Sequence, residues 1–251
     1  MGSPAASPAS YGQRHSDVLS AADRDQQLAT NLAAVEDRVV AACRSAGRPR
    51  SEVHVIAVTK SWPARDVRQL ARLGLREVAE NRDQEAAPKA RECADLHLTW
   101  HFVGQLQTNK ARSVAAYSQV VHTVDRARLV TALSRAAIEQ DRSLGVLLQV
   151  RLDDDPRRGG ADPGDLGVLA ELVEGAEGLL LAGLMAVAPL GAEAEAAFAR
   201  LASIAQDLRR EHPGATWLSA GMSGDLEAAV RNGATHLRVG TALLGSRPLL
   251  G

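Results

Sequence analysis

Eight short apolar runs alternate with longer amphipathic stretches through this chain, and few architectures accommodate that order. The runs cover residues 53–58, 77–79, 99–103, 120–123, 145–150, 180–185, 216–218 and 236–239, each short enough for a strand. Between them, stretches such as 64–73, 126–140, 192–210 and 225–232 carry helical period and are long enough for crossover connections. Eight strand–helix units in 251 residues predict an α/β fold, a single (β/α)8 TIM barrel. An open doubly wound sheet shares the alternation, and the strand count favours closure. One further helix stands ahead of the pattern: Leu28, Leu32, Val35, Val39 and Ala42 recur at helical spacing over 26–45, a stretch closed by Gly47 and Pro49. Residues 1–25, rich in Ala, Ser and Pro without an apolar period, are expected to form a disordered extension, leaving 26–251 as the barrel domain.

In a barrel the chemistry gathers at the C-terminal ends of strands and in the loops that follow. The first strand ends in Lys60, followed at once by Ser61-Trp62-Pro63, a strand breaking into a helix start. Positive charge comes almost wholly from arginine, and Lys60, Lys89 and Lys110 are the only lysines. An amine at a strand end can form a Schiff base with a carbonyl once burial or a cationic neighbour lowers its pKa from about 10.4. The plainer alternative is a lysine that snorkels to solvent beside a helix start.

The last two strands offer what such an amine needs. After 216–218 the chain reads Ser219-Ala220-Gly221-Met222-Ser223-Gly224-Asp225, two hydroxyls and two glycines in a loop able to wrap phosphate oxygens. The final strand carries one inward cation, Arg238, then opens through Gly240-Thr241 into a short helix. Backbone N–H groups there, the Thr241 hydroxyl and the helix dipole suit a phosphate, an arrangement frequent in the last strands of barrels. An ordinary capped helix is the alternative, with Ser223 as an N-cap and Asp225 favouring the dipole. Among the rim clusters Glu80-Asn81-Arg82 and 101–110, Asn81 can hydrogen-bond a ring hydroxyl, Glu80 can be a helix-start charge and His101 a satisfied core histidine. Asp153, Asp154 and Asp155 precede Pro156 and two arginines, which reads as a solvated loop and not a metal site.

Composition narrows the function classes. A hydrophobic content of 45% and a charged content of 24% suit one ordinary globular core. The net charge of -1 argues against a nucleic-acid binder and for a small-molecule partner. Cys43 and Cys93 lie at no metal spacing and form no disulfide framework, which fits a reducing cytoplasm. No apolar run approaches a membrane span, and the start of the chain lacks the pattern of a secretory signal.

Six motifs in order, Ala57-Val58-Thr59-Lys60, Glu80-Asn81, His101-Phe102-Val103-Gly104 with Leu106-Gln107 and Asn109-Lys110, Gly183-Leu184-Met185-Ala186, Gly221-Met222-Ser223 and Arg238-Val239-Gly240-Thr241, resemble the pyridoxal phosphate homeostasis protein family. The resemblance runs from about Leu28 to Gly245. It implies a fold-type III barrel like the N-terminal domain of alanine racemases, and members of the family bind pyridoxal 5'-phosphate (PLP) without an established turnover. Carried over, it makes Lys60 the lysine that holds PLP as an aldimine. It also puts the phosphate on Ser219, Met222, Ser223, Gly240 and Thr241, and sets Arg238 against the pyridine nitrogen. Asn81 joins them as a cofactor-binding residue. Two positions depart from the family pattern: Ala79-Glu80-Asn81-Arg82 replaces Gly-Glu-Asn-Tyr, and Arg158-Gly159-Gly160 replaces Lys-Ser-Gly.

The reading that follows is a cytoplasmic PLP carrier, monomeric, passing cofactor to apo PLP enzymes. An amino-acid racemase or lyase on the same lysine is the alternative. Racemases take a tyrosine as second base from an extra domain and a dimer partner; Tyr11 and Tyr117 are poorly placed for that role, and no C-terminal β domain is expected after the barrel. A cofactor-free Schiff-base aldolase acting on a sugar phosphate would also use Lys60 and a phosphate cup.

Overall fold

A computed structural model describes residues 20–153, 159–189 and 193–246. All eight expected strands form, with ends within one residue of the expected bounds: β1 His54–Val58, β2 Glu77–Glu80, β3 Thr99–Phe102, β4 Val120–Val124, β5 Leu144–Gln149, β6 Leu179–Met185, β7 Trp217–Ser219 and β8 His236–Val239. They are parallel, each pairs with the next in sequence, and β8 returns to β1, so the sheet closes. The chain is a (β/α)8 barrel.

The helices are α1 Ala21–Ser45, α2 Ala64–Arg72, α3 Asp83–Glu92, α4 Ala111–Tyr117, α5 Ala127–Ile138, α6 Leu166–Glu174, α7 Ala194–Glu211, α8 Leu226–Arg231 and α9 Thr241–Leu244. The crossover helices bury an apolar stripe, as in α2, where Val67, Leu70 and Ala71 are buried while Arg65 and Arg72 stay exposed, and α1 packs against α2, α8 and α9. The large core lies between the helices and the barrel wall. A smaller cluster of Val120, Leu147 and Met185 belongs to β4, β5 and β6. Polar side chains from β3, β4, β7 and β8, namely His101, His122, Ser219 and Arg238, are also fully or almost fully buried.

The first helix begins at Ala21, five residues before the expected start. Ser20 caps it, its hydroxyl accepting from the Asp23 N–H, so residues 21–25 are helical and not part of an extension. The expected disorder of residues 1–19 lies outside the described residues.

α1 also ties down the end of the barrel. Its Asn31 side chain donates to the Leu243 carbonyl at 3.0 Å, and Arg24 donates to the Leu244 carbonyl at 3.0 Å while pairing with Asp66 at 2.7 Å. These are terminal carbonyls of α9 that the helix itself leaves unsatisfied. Arg48, just past α1, braces the end of α8, donating to the Val230 oxygen there and to that of Ala234 in the turn beyond it. Among the described residues no helix is long and apolar enough to cross a membrane.

Candidate functional site

Lys60 is half-buried in the turn that ends β1. Ser61, directly after it, has a φ of 67°, a left-handed conformation that costs a non-glycine residue about 1 kcal/mol or more. Two bonds hold the turn: the Ser61 N–H donates to Glu85 Oε2 at 3.0 Å, and the Trp62 N–H donates to the Thr59 carbonyl at 3.1 Å. Strain beside a candidate nucleophile is the kind of local cost that a scaffold maintains where position matters.

Beneath the turn lies a buried ion pair that strand and motif reading missed. Glu80 Oε1 sits 2.5 Å from Lys89 Nζ and accepts from the Thr59 hydroxyl at 2.6 Å, and Lys89 also donates to the Thr59 carbonyl at 2.8 Å. Glu80 is therefore a fully buried partner of α3, not a helix-start charge. Burial raises its carboxyl above the usual range, outweighing Lys89 and Thr59. The residue before Lys60 is thus gripped through both its carbonyl and its hydroxyl.

Closure places β8 beside this turn. Ile56 lies opposite Arg238 and Ala57 opposite Val239, and a Cβ on Gly240 would stand 3.5 Å from the Val58 carbonyl oxygen. Gly240 caps α9, as expected. The two anion-suited loops are joined: Ser223 Oγ accepts from the Ala242 N–H at 3.0 Å. Asp225, not Ser223, occupies the cap position of α8, and its carboxylate accepts from the Met222 N–H at 2.6 Å. Met222 and Thr241 are exposed and Ser223 is half-buried, so this corner opens to solvent. Arg38 of α1 holds it from outside, donating to the Ser223 carbonyl and pairing with Glu227 at 2.7 Å.

Arg238 points into the barrel. Its guanidinium donates to Ser219 Oγ at 2.7 Å and to the Ala186 carbonyl at 2.8 Å, and burial brings its pKa down to about 10. Ser219 is fully buried and continues inward, 3.0 Å from His122 Nδ1. His122 Nε2 lies 2.8 Å from His101 Nδ1, and His101 Nε2 faces Glu77 Oε2 at 3.4 Å. Because a guanidinium only donates, Ser219 accepts from Arg238 and gives its own proton to His122 Nδ1. Neutral His122 then donates through Nε2 to His101. Burial, with His101 and Arg238 adding to it, holds His122 well below the ordinary imidazole range. His101 is a core histidine satisfied at only one nitrogen, since its Nε2 makes no aligned hydrogen bond.

Asn81 follows β2, half-buried, and its side-chain oxygen is shielded from solvent without a hydrogen-bond partner. The loop after β3 passes so close that a Cβ on Gly104 would lie 2.0 Å from the Asn81 carbonyl oxygen. Arg82, where the family has an aromatic, is exposed and pairs with Glu85 at 3.4 Å, while Arg158 and Tyr11 lie outside the described residues. Tyr117 ends α4, edge-on to Trp100, and burial raises its hydroxyl pKa. Lys60, Arg238, Gly240 and Thr241 thus gather where β1 meets β8, and Ser219 and Ser223 join them from β7 and its loop. His122 and Lys89 are the residues that sequence reasoning missed; a histidine within the apolar run 120–123 was the available signal for the first.

The family model for the alanine racemase N-terminal domain matches residues 30–248. A pyridoxal phosphate homeostasis protein from Mycobacterium tuberculosis is 44% identical over 93% of this chain and 98% of its own length. PipY from Synechococcus elongatus, solved with PLP bound, is 40% identical with a TM-score of 0.76, covering 87% of this chain and 100% of its own. Alanine racemase from Corynebacterium glutamicum shares the fold at a TM-score of 0.64 and 14% identity, over 90% of this chain and 62% of its own.

Proposed function

The chain belongs to the pyridoxal phosphate homeostasis protein family, built on the alanine racemase N-terminal domain, and from that premise we propose that it binds PLP through Lys60 and contributes to PLP homeostasis in the cytoplasm. The observation that carries this reading is the junction of β1 with β8, where a half-buried amine at one strand end adjoins a buried guanidinium and a glycine-capped loop at the other. The residues present fit such a group. The unpartnered Asn81 oxygen, the Arg238 donors and the solvent-open corner of Ser223 and Thr241 match the hydroxyl, ring nitrogen and phosphate of the cofactor in kind.

Bound there, PLP supplies a reactive aldehyde and an electron-withdrawing ring. Lys60 provides the amine that anchors it, with the Thr59–Glu80–Lys89 grip fixing the strand end behind that amine. Ser219, Met222, Ser223, Gly240 and Thr241 are assigned to the phosphate. In the present structure the Met222 N–H is held by Asp225 and the Ser219 hydroxyl by Arg238 and His122, so Ser223, Gly240 and Thr241 carry most of that assignment. Arg238 keeps its proton at neutral pH, so it offers the ring nitrogen a hydrogen bond and no proton, which mutes carbanion chemistry. Apoenzymes that need the cofactor are the proposed recipients, and the chain is proposed to act as a monomer.

The purified protein is expected to absorb visible light, and borohydride reduction to fix the cofactor to the peptide that contains Lys60. Lys60→Ala should be colourless, and a variant as yellow as the parent would sink the reading. Thr241→Ala should keep the colour but lose cofactor faster on dialysis.

A further inference from the structure

At the end of the barrel remote from Lys60, the first residues of three neighbouring strands converge: His54 of β1, Glu77 of β2 and His236 of β8. One ligand atom from each lies within 4.8 Å of the others, and among the described residues this is the one His/Cys/Asp/Glu group so arranged. We infer that this floor of the barrel is a binding site for a divalent transition-metal ion of the zinc class, held by the imidazoles of His54 and His236 and the carboxylate of Glu77.

The donor chemistry suits that ion, since two imidazole nitrogens and one carboxylate oxygen leave a fourth position open. The surroundings orient each ligand. His236 uses Nδ1 for the Thr235 hydroxyl at 2.8 Å, and Trp217 stacks on its ring at 4.0 Å, which directs Nε2 to the cluster. Glu77 Oε1 meets His54 Nδ1 at 2.9 Å, and its other oxygen, buried without an aligned hydrogen bond, faces the equally unpartnered His101 Nε2.

A hydrogen-bonded His–Glu pair without any ion is the competing account of the same contacts. It explains the 2.9 Å bond but not why His101, at 3.4 Å, and His236 crowd the same carboxylate. Tetrahedral zinc sets its ligand atoms about 3.4 Å apart, so the present spread of up to 4.8 Å has to contract and the His54 ring, now stacked on that of His236, has to turn out of the stack. His54, whose side chain is 49% exposed, has the freedom to make that adjustment. The ion then replaces the proton shared by His54 and Glu77. Access is provided by a cavity of about 580 Å3 lined by His54, Glu77, Glu36, Arg50, Leu32 and Val55.

The test uses full-length protein without a polyhistidine tag, stripped with a chelator and titrated with Zn2+ alone by calorimetry and with Co2+ by absorbance. One equivalent of each is expected, with the ligand-field bands of a low-coordinate Co2+ site. His54→Gln and Glu77→Gln should each weaken Zn2+ binding about tenfold or more, with circular dichroism showing both folded. Lys60→Ala should bind the ion as the parent does. Less than half an equivalent bound, or parental affinity in either floor variant, overturns the assignment.

Discussion

Lys89 and Glu80 show how much a single buried contact can depend on its partner. Removing the ammonium with Lys89→Met leaves the Glu80 carboxylate in the core with the Thr59 hydroxyl as its remaining partner. The expected loss is about 3 kcal/mol at pH 7, measured by urea unfolding. Combining it with Glu80→Gln should recover a large part of that loss, because no unpaired charge then remains. Nothing in the sequence marks this pair. Lys60 was legible because a strand end is a local property, visible from the apolar run before it. Lys89 lies on a different element, and only the way α3 folds back onto β2 brings it under Thr59. Asn81 falls between these cases: its place after a strand was readable, its unpartnered oxygen was not.

The strands were easier to read than the joints between them. Each apolar run announced its strand, yet none announced the irregularity in β6, where the register with β5 shifts between Leu181 and Gly183. Gly183 has a φ of 153°, and a Cβ there would lie 1.9 Å from the Trp217 carbonyl oxygen on β7. Gly183→Ala therefore forces backbone against backbone, and a loss of about 3 kcal/mol or more is expected in thermal or denaturant unfolding. Gly214→Ala, where a Cβ meets nothing within 4 Å, serves as the control and should change stability by less than about 1 kcal/mol. The early start of α1 was available in Ser20 and Asp23, a capping signal hidden by the polar residues before it. Its clamping of α8 and α9 through Asn31, Arg24 and Arg38 was not, since those partners are distant in sequence.

For the whole molecule, closure followed from counting strands, and closure is what turns separate motifs into one site. The count does not reveal the polar interior that closure creates. Burial holds His122 and His236 neutral in the folded chain, with His236 at about 3. Unfolding releases both to take protons below about pH 6.5, so the unfolded chain binds more protons across that range and acid favours it. Stability is expected to fall steadily as pH drops from about 6.5 towards about 3, with Glu77 adding to the loss once pH falls below the ordinary carboxylate range. Thermal midpoints that stay flat between pH 7 and 5 would count against this account. The donors that join Arg238 to His101 all point one way, starting from a guanidinium that cannot accept a proton, and the last contact, to a Glu77 carboxylate that three histidines keep ionised against the effect of burial, is unaligned. A proton entering from below finds no vacancy at the top. The interior is therefore a one-way file of donors with no acceptor at its upper end, and these side chains offer whatever Lys60 holds no hydrogen-bonded route to the opposite face of the barrel.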